Sequence, residues 1–382
     1  LPAKKILLLS GYDAASHKYW RNLLCQKMSQ FEWTQLALPD RNFSWRVRGS
    51  SLNFATQYRE ELSQKYDLIL ATSMVDLASL KGFVPELANV PCIVYFHENQ
   101  FAYPISSAKN SNAQANAISA QLTSIYSALC ATKILFNSEY NRTTFLSGAR
   151  QLFKRLPDDI PSSVLDNIEV NSEVIAVPIT FPFEIKGMNN NLFEQDSSGI
   201  PHIVWNHRWE YDKQPQVFFD ALRLLKKSGQ LFKLHVLGQS FRQVPDCFSV
   251  AEKDFSDEIL SFGFQSKKDY QNILNRSDIA VSSALHDFQG LSLLEAMSRG
   301  CVPIAPKRVA YPEYVDAEYL YSIENTSQTL ESESLFKKLV EVITRKHNKQ
   351  HDLNHYSCDY LLPAYQEIFE TEMKVRVQGS KR

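Results

Sequence analysis

The chain lacks most of the short signatures that announce a reaction. It has no Asp-x-Asp, no His-Glu-x-x-His and no Cys-x-x-Cys, so neither a carboxylate-held catalytic metal nor a zinc centre is expected. Its six cysteines (Cys25, Cys92, Cys130, Cys247, Cys301, Cys358) are scattered, several within apolar runs. They read as buried free thiols of a reducing compartment, not as a disulfide framework. No apolar run approaches the roughly 18 residues of a membrane span. Residues 6–9 follow Lys4 and Lys5 but are too short for a signal-peptide core, so they read as a first strand. The expected location is therefore the cytoplasm, with no membrane partner. Excess charge is lacking too: 41 Lys and Arg stand against 42 Asp and Glu, a net charge of −1. That excludes a globally basic surface, and any nucleic acid would have to be held by a local patch. There is no internal repeat.

What is present is an α/β rhythm. The 382 residues, 44% hydrophobic and 22% charged, suit two soluble domains that each bury a core. Short apolar runs predict strands at 6–9, 32–38, 68–71, 92–96, 134–136 and 174–177. Helical patterns fall at 17–28, 54–63, 117–131 and 141–146. In the helix 117–131, Ile118, Leu122, Ile125 and Leu129 form an apolar stripe that reads as core. Segment 178–199, with two prolines, Gly187, three consecutive asparagines and Ser197-Ser198, breaks the rhythm and reads as a linker. A second set of strands follows at 202–205, 233–237, 259–262, 279–283, 302–305 and 319–321. Helices are expected at 216–227, 269–275, 291–299 and 335–345, with a last amphipathic stretch at 356–373. The expected domains are 1–180, a linker 181–200, and 201–355, followed by the C-terminal helix 356–382. The fold class is α/β with parallel, doubly wound sheets.

Polar clusters sit where ligands bind in such sheets, after the strands. The richest is Asp287-Phe288-Gln289-Gly290-Leu291-Ser292 followed by Glu295, a strand, a turn and a helix start. Free N–H groups and the positive helix end there would take a phosphate. Glu295, one turn in, can accept from a ribose diol, and Asp287 points beyond the phosphates. A second half-site follows the strand at 202–205: Asn206, Arg208 and Lys213, with the two cations five positions apart before a helix. A fork and a point charge can converge on a pyrophosphate. Gly238 and Phe264 follow two further strands. A strand-turn-helix with a capping Asp is common by chance, and an Arg/Lys pair is usually solvated surface. The two half-sites together favour a nucleotide-sugar.

Arg208…Lys213 and Asp287…Glu295 resemble the donor half of the family 4 retaining glycosyltransferases. There the pattern is Glu–x7–Glu, and Asp287 replaces the first Glu with one methylene fewer. The front half resembles the tRNA-queuosine mannosyltransferase group in Tyr95-Phe96-His97-Glu98-Asn99-Gln100-Phe101-Ala102-Tyr103-Pro104, in Phe43-Ser44-Trp45-Arg46-Val47-Arg48, in Phe136-Asn137-Ser138 and in His207-Arg208-Trp209-Glu210. The first loop departs from that group, with Ala14-Ala15 where it has paired glycines before Ser16-His17-Lys18. The resemblance implies a GT-B fold, two Rossmann-like domains facing each other across a cleft, with the C-terminal helix packing back on the first. It implies retention by front-face attack, with the leaving phosphate taking the acceptor's proton and His97 meeting the donor sugar. GDP-mannose would be the donor and queuosine-containing tRNA, tRNA-Asp in that group, the acceptor. Without a metal motif or cofactor, Arg208, Lys213 and the helix start at Gly290 would carry the diphosphate charge. His17, Glu98 and Asn99 are acceptor-side candidates. Trp45, Arg46 and Arg48 interleave with Phe43 in a loop suited to stacking on bases and pairing with phosphates. Residues 1–180 hold 17 Lys and Arg against 15 Asp and Glu, too slight a lean to identify RNA. Two alternatives stay open: a family 4 enzyme with another donor and a glycolipid, saccharide or small glycoside acceptor, and a non-catalytic nucleotide-sugar or RNA-binding module.

Overall fold

The computed structural model describes residues 3–102, 111–181, 199–240, 244–323, 327–345 and 351–379. Tyr103 and Pro104 of the front-half motif and most of the expected linker, 182–198, lie outside them. The chain forms two compact units. One is Leu1–Pro178 with Cys358–Arg382, and the other is Ile179–Ser357.

The first unit is built on strands β1 (Lys4–Ser10), β2 (Phe31–Ala37), β3 (Leu68–Thr72), β4 (Cys92–Phe96), β5 (Lys133–Phe136) and β6 (Ser172–Val174). They run parallel in the order β2-β1-β3-β4-β5-β6. β3 and β4 are buried along their whole length, which is why they read as unbroken apolar runs and not as alternation. The second unit holds β7 (His202–Asn206), β8 (Lys233–Leu237), β9 (Ile259–Gly263), β10 (Ile279–Val281), β11 (Val302–Pro306) and β12 (Leu320–Tyr321). Its parallel order, β12-β11-β10-β7-β8-β9, is that of a dinucleotide-binding sheet.

The helix Cys358–Gly379 belongs to the first unit. Tyr365 accepts a hydrogen bond from Trp20 Nε1 (3.1 Å) and donates to the Ala176 carbonyl (3.0 Å). Phe369 meets Phe31 and Trp33 edge-on.

Several expectations are corrected. The segment with Phe43, Trp45, Arg46 and Arg48 is not a loop but the start of a helix, Phe43–Gln57. The Pro/Asp/Asn cluster ends in a turn at Asn42, whose φ of 57° launches the helix. Polar residues that look like loop are buried partners, since Ser50 and Ser51 donate to the Met74 and Asp76 carbonyls. β6 ends at Val174 instead of running on to 177. Leu129 is exposed, so the apolar stripe stops at Ile125. Helices Leu77–Phe83, Ser163–Val170 and Cys247–Asp254 were not expected. The six cysteines are free; Cys25 and Cys130 are only half-buried.

Candidate active site

In the second unit the strand order reverses between β7 and β10, and chains leaving such a pair on opposite faces open a crevice at the carboxyl ends. Lys213 reaches it from the turn after β7, which closes at Gln214 in the left-handed region (φ 45°). Its buried ammonium donates to the His286 carbonyl at 2.6 Å and lies 3.5 Å from both Asp212 and Asp287. Asp287 Oδ1 accepts from the Gly290 N–H (3.1 Å) and Oδ2 from the Tyr311 hydroxyl (3.0 Å). Burial alone would raise this carboxyl. Lys213, His207 and the Tyr311 hydroxyl outweigh it and hold the group below the usual carboxylate range. Arg208, half exposed, pairs with Glu210 at 2.8 Å and lies 3.9 Å from Asp212, so the two expected cations meet on one carboxylate.

Gly290 is required where it stands. Its φ is 78°, and a Cβ there would lie 2.3 Å from the Tyr314 hydroxyl. The helix Leu291–Met297 starts from it, with N–H groups that have no intrahelical partner. Glu295 Oε2 accepts from the Tyr270 hydroxyl at 2.8 Å, and burial raises its carboxyl. Asn206 holds this arrangement, donating to Tyr270 (3.0 Å) and to the Ser292 carbonyl (2.8 Å). Ser292 Oγ lies 3.2 Å from His207 Nδ1, and burial with nearby Lys213 pushes that ring down to about 4, so it is neutral at pH 7. Gly238 lets the loop after β8 close on the loop after β7, for a Cβ would sit 1.9 Å from the His207 carbonyl. Phe288 and Gln289 are buried in the turn, Phe288 edge-on to His286. Phe264 is 75% exposed at the end of β9.

In the first unit the order reverses between β1 and β3. His17, in the first turn of the helix after β1, points Nε2 at Glu98 Oε2 (2.9 Å), and Ser73 donates to Glu98 Oε1 (3.1 Å). The His17 and His97 rings stack with centroids 4.1 Å apart, and Trp20 stands edge-on to His97 at 4.9 Å. Burial, reinforced by His17, holds His97 well below the ordinary histidine range, so it works as a neutral imidazole. Gly11 lets β1 pass the Met74 carbonyl, which a Cβ would approach to 2.4 Å.

Thus the structure brings His17, His97 and Glu98 together in one unit, and Arg208, Lys213, Asp287 and Glu295 in the other. Asn99 takes no place in the first cluster. It is fully buried, its Nδ2 bonded to Asn141 and Thr144 and its Oδ1 to the Phe101 and Ala102 N–H groups, so it shapes the loop. Trp45 and Arg48, three positions apart, are exposed on one face of their helix, whereas Arg46 is buried on another. Sequence reasoning passed over Ser73, Tyr270, Tyr311 and Tyr314, and named His207 only within a motif, without a role. Tyr311 and Tyr314 follow β11 at the same sheet edge, a signal that could have found them. Among the described residues no group of three His, Cys, Asp or Glu side chains could hold a metal. None of their helices is long and apolar enough to cross a membrane.

Two doubly wound sheets, each with its polar cluster at the switch point, match the two Rossmann-like domains of the GT-B glycosyltransferase fold. A glycosyltransferase from Rickettsia africae shares the fold (TM-score 0.63, 14% identity, covering 98% of this chain and 100% of that one). So does HepE from Anabaena in complex with UDP and glucose (TM-score 0.60, 12% identity, 96% and 100%). The glycosyl transferases group 1 family matches residues 194–357, and the tRNA-queuosine alpha-mannosyltransferase N-terminal family matches residues 5–179. The tRNA-queuosine alpha-mannosyltransferase of Drosophila melanogaster is 31% identical over 376 residues, 95% of this chain and 96% of that protein. The chain belongs to the tRNA-queuosine alpha-mannosyltransferase family.

Proposed function

We propose that this chain is a cytoplasmic enzyme that moves mannose from GDP-mannose to the cyclopentene diol of queuosine in a tRNA anticodon, with retention at the anomeric carbon. The observation that carries this is the Lys213–Asp287 pair at the β7/β10 switch point, with Gly290 and Glu295 one turn away. In this reading Glu295 accepts from the ribose hydroxyls, while Lys213, Arg208 and the helix start at Gly290 carry the diphosphate. Asp287 receives hydroxyls of the mannose. The anomeric C–O bond to the diphosphate breaks, a diol oxygen bonds to that carbon, and its proton passes to the leaving phosphate. His97, kept neutral, lends a hydrogen bond to the sugar without adding charge. No divalent metal enters the reading, since fixed cations do its work.

The test is transfer of label from GDP-mannose to tRNA with queuosine or with guanine at the same position. Label should enter only the first, because a site built around a diol rejects the analogue lacking it by orders of magnitude. Turnover should be unchanged by EDTA. Equal labelling of both tRNAs, or transfer to a free saccharide, would favour a family 4 enzyme of other acceptor. Loss on chelation, restored by manganese or magnesium, would overturn the metal-free assignment.

A further inference from the structure

The helices Phe43–Gln57, Leu77–Phe83 and Ser111–Cys130 of the first unit pack on one another. Their charged residues are Arg46, Arg48 and Lys81, and none of the three carries a carboxylate. Asp76, just before the second, is buried and spends both oxygens on Ser79 as its cap. Among the described residues these cations form no ion pair. Arg48 donates to Ser119 Oγ (2.6 Å), Lys81 donates to two carbonyls, and Arg46 is buried with no hydrogen-bond partner for its Nε. The same helices expose Trp45, Leu52, Phe83, Tyr126 and Leu129.

Trp45 is placed with care. It is 56% exposed, yet its indole lies on Gly49, where a Cβ would meet ring atoms at 2.2–2.6 Å. Glycine is disfavoured inside a helix. Here it lets the ring lie flat, with the opposite face open. Tyr126 stands two helical turns beyond Ser119, the partner of Arg48, about 10 Å along the neighbouring helix.

We propose that this helical face docks unpaired nucleotides of the tRNA anticodon loop, with Trp45 and Tyr126 as stacking platforms and Arg48 and Lys81 against phosphates. The inference rests on the tRNA reading above and names the surface that meets the RNA. Cations without carboxylates suit a polyanion, and flat exposed rings suit single-stranded bases. A second copy fits poorly, for a two-fold contact would set cations against cations.

The test is fluorescence anisotropy with a labelled anticodon stem-loop lacking queuosine. Trp45→Ala and Tyr126→Ala should each weaken binding about tenfold, the range of base–aromatic stacking. Gly49→Ala should weaken it by lifting the indole although the helix gains propensity. Arg48→Gln should lower the slope of log Kd against log salt by about one. Val170→Ala, an exposed site outside these helices, should change nothing. Unchanged affinity in folded Trp45→Ala and Tyr126→Ala proteins, or no stem-loop binding by the unaltered chain, overturns the proposal. So does loss of binding to phosphatidylserine vesicles instead of RNA, or a shift from dimer to monomer. The assay needs neither donor nor queuosine. A chain that docks RNA here but transfers no mannose breaks the functional reading alone, and full transfer by these variants breaks the docking surface alone.

Discussion

The two switch points lie at the same edge of the same kind of sheet and use charge in opposite ways. In the second unit opposite signs lie within 4 Å of one another, Lys213 beside Asp212 and Asp287 and Arg208 beside Asp212. In the first, burial strips His97 of its proton and stacks it on His17, leaving Glu98 as the carboxylate in the cluster. A place that must receive a diphosphate needs ionised groups ready at fixed positions, where they cost no reorganisation when charge develops. Hydroxyls of a sugar or a diol ask for positioned hydrogen-bond donors and acceptors and need no cation. Under the proposed function, the contrast separates leaving-group chemistry from positioning.

The largest break in that contrast should come from Lys213→Ala. It removes the cation beside Asp287 and should lower transfer at least a hundredfold, about 3 kcal/mol, in initial-rate assays. An activity within threefold of the unaltered enzyme would take Lys213 out of the chemistry. Acid should test burial in both units. His207 and His235 bind a proton only near 4 in the folded chain, against 6.5 when unfolded, and His97 is shifted the same way. The unfolded state therefore binds more protons below 6.5. Stability is complete above that pH and falls as pH drops toward 4, by up to about 3 kcal/mol for His207 or His235. Melting temperature should decline from pH 7 to 5, and His235→Asn should flatten the decline; an unchanged slope would place the effect elsewhere.

Glu295→Ala should raise the donor Kd tenfold or more, since a ligand diol without its acceptor loses about 1–3 kcal/mol. Calorimetry with GDP reads this directly, and unchanged affinity would remove Glu295 from the ribose. Glu98→Gln should have the smallest effect. It exchanges a charge-assisted bond to His17 for a neutral one, costing about 1 kcal/mol of stability. Because an amide nitrogen would then face Nε2, nitrogen NMR should show the His17 hydrogen moving to Nδ1. A ring that keeps its tautomer would show that Glu98 does not set it.

Much of this was legible in residue order. The fully buried strands read correctly because a strand covered on both faces is one apolar run with no competing pattern, as 68–71 and 92–96 show. Asp287, Gly290 and Glu295 were legible because a strand, a turn and a helix start are local, and their spacing sets their geometry. The helix Phe43–Gln57 was not. Its serines bond to carbonyls of the loop after β3, and its glycine seats a tryptophan, so contacts distant in sequence outvoted a loop-like composition.

By itself, then, the sequence determined the parallel α/β architecture, the strand-edge placement of its polar clusters and the Asp287–Gly290–Glu295 spacing, all consequences of short-range periodicity and spacing. Only the tertiary structure decided that Tyr311 and Tyr270 brace Asp287 and Glu295, that His17 stacks on His97, and that Asn99 is spent on its own loop. These contacts join residues tens of positions apart. Burial and neighbouring charge, which set each group's protonation, exist only once the chain has closed around them.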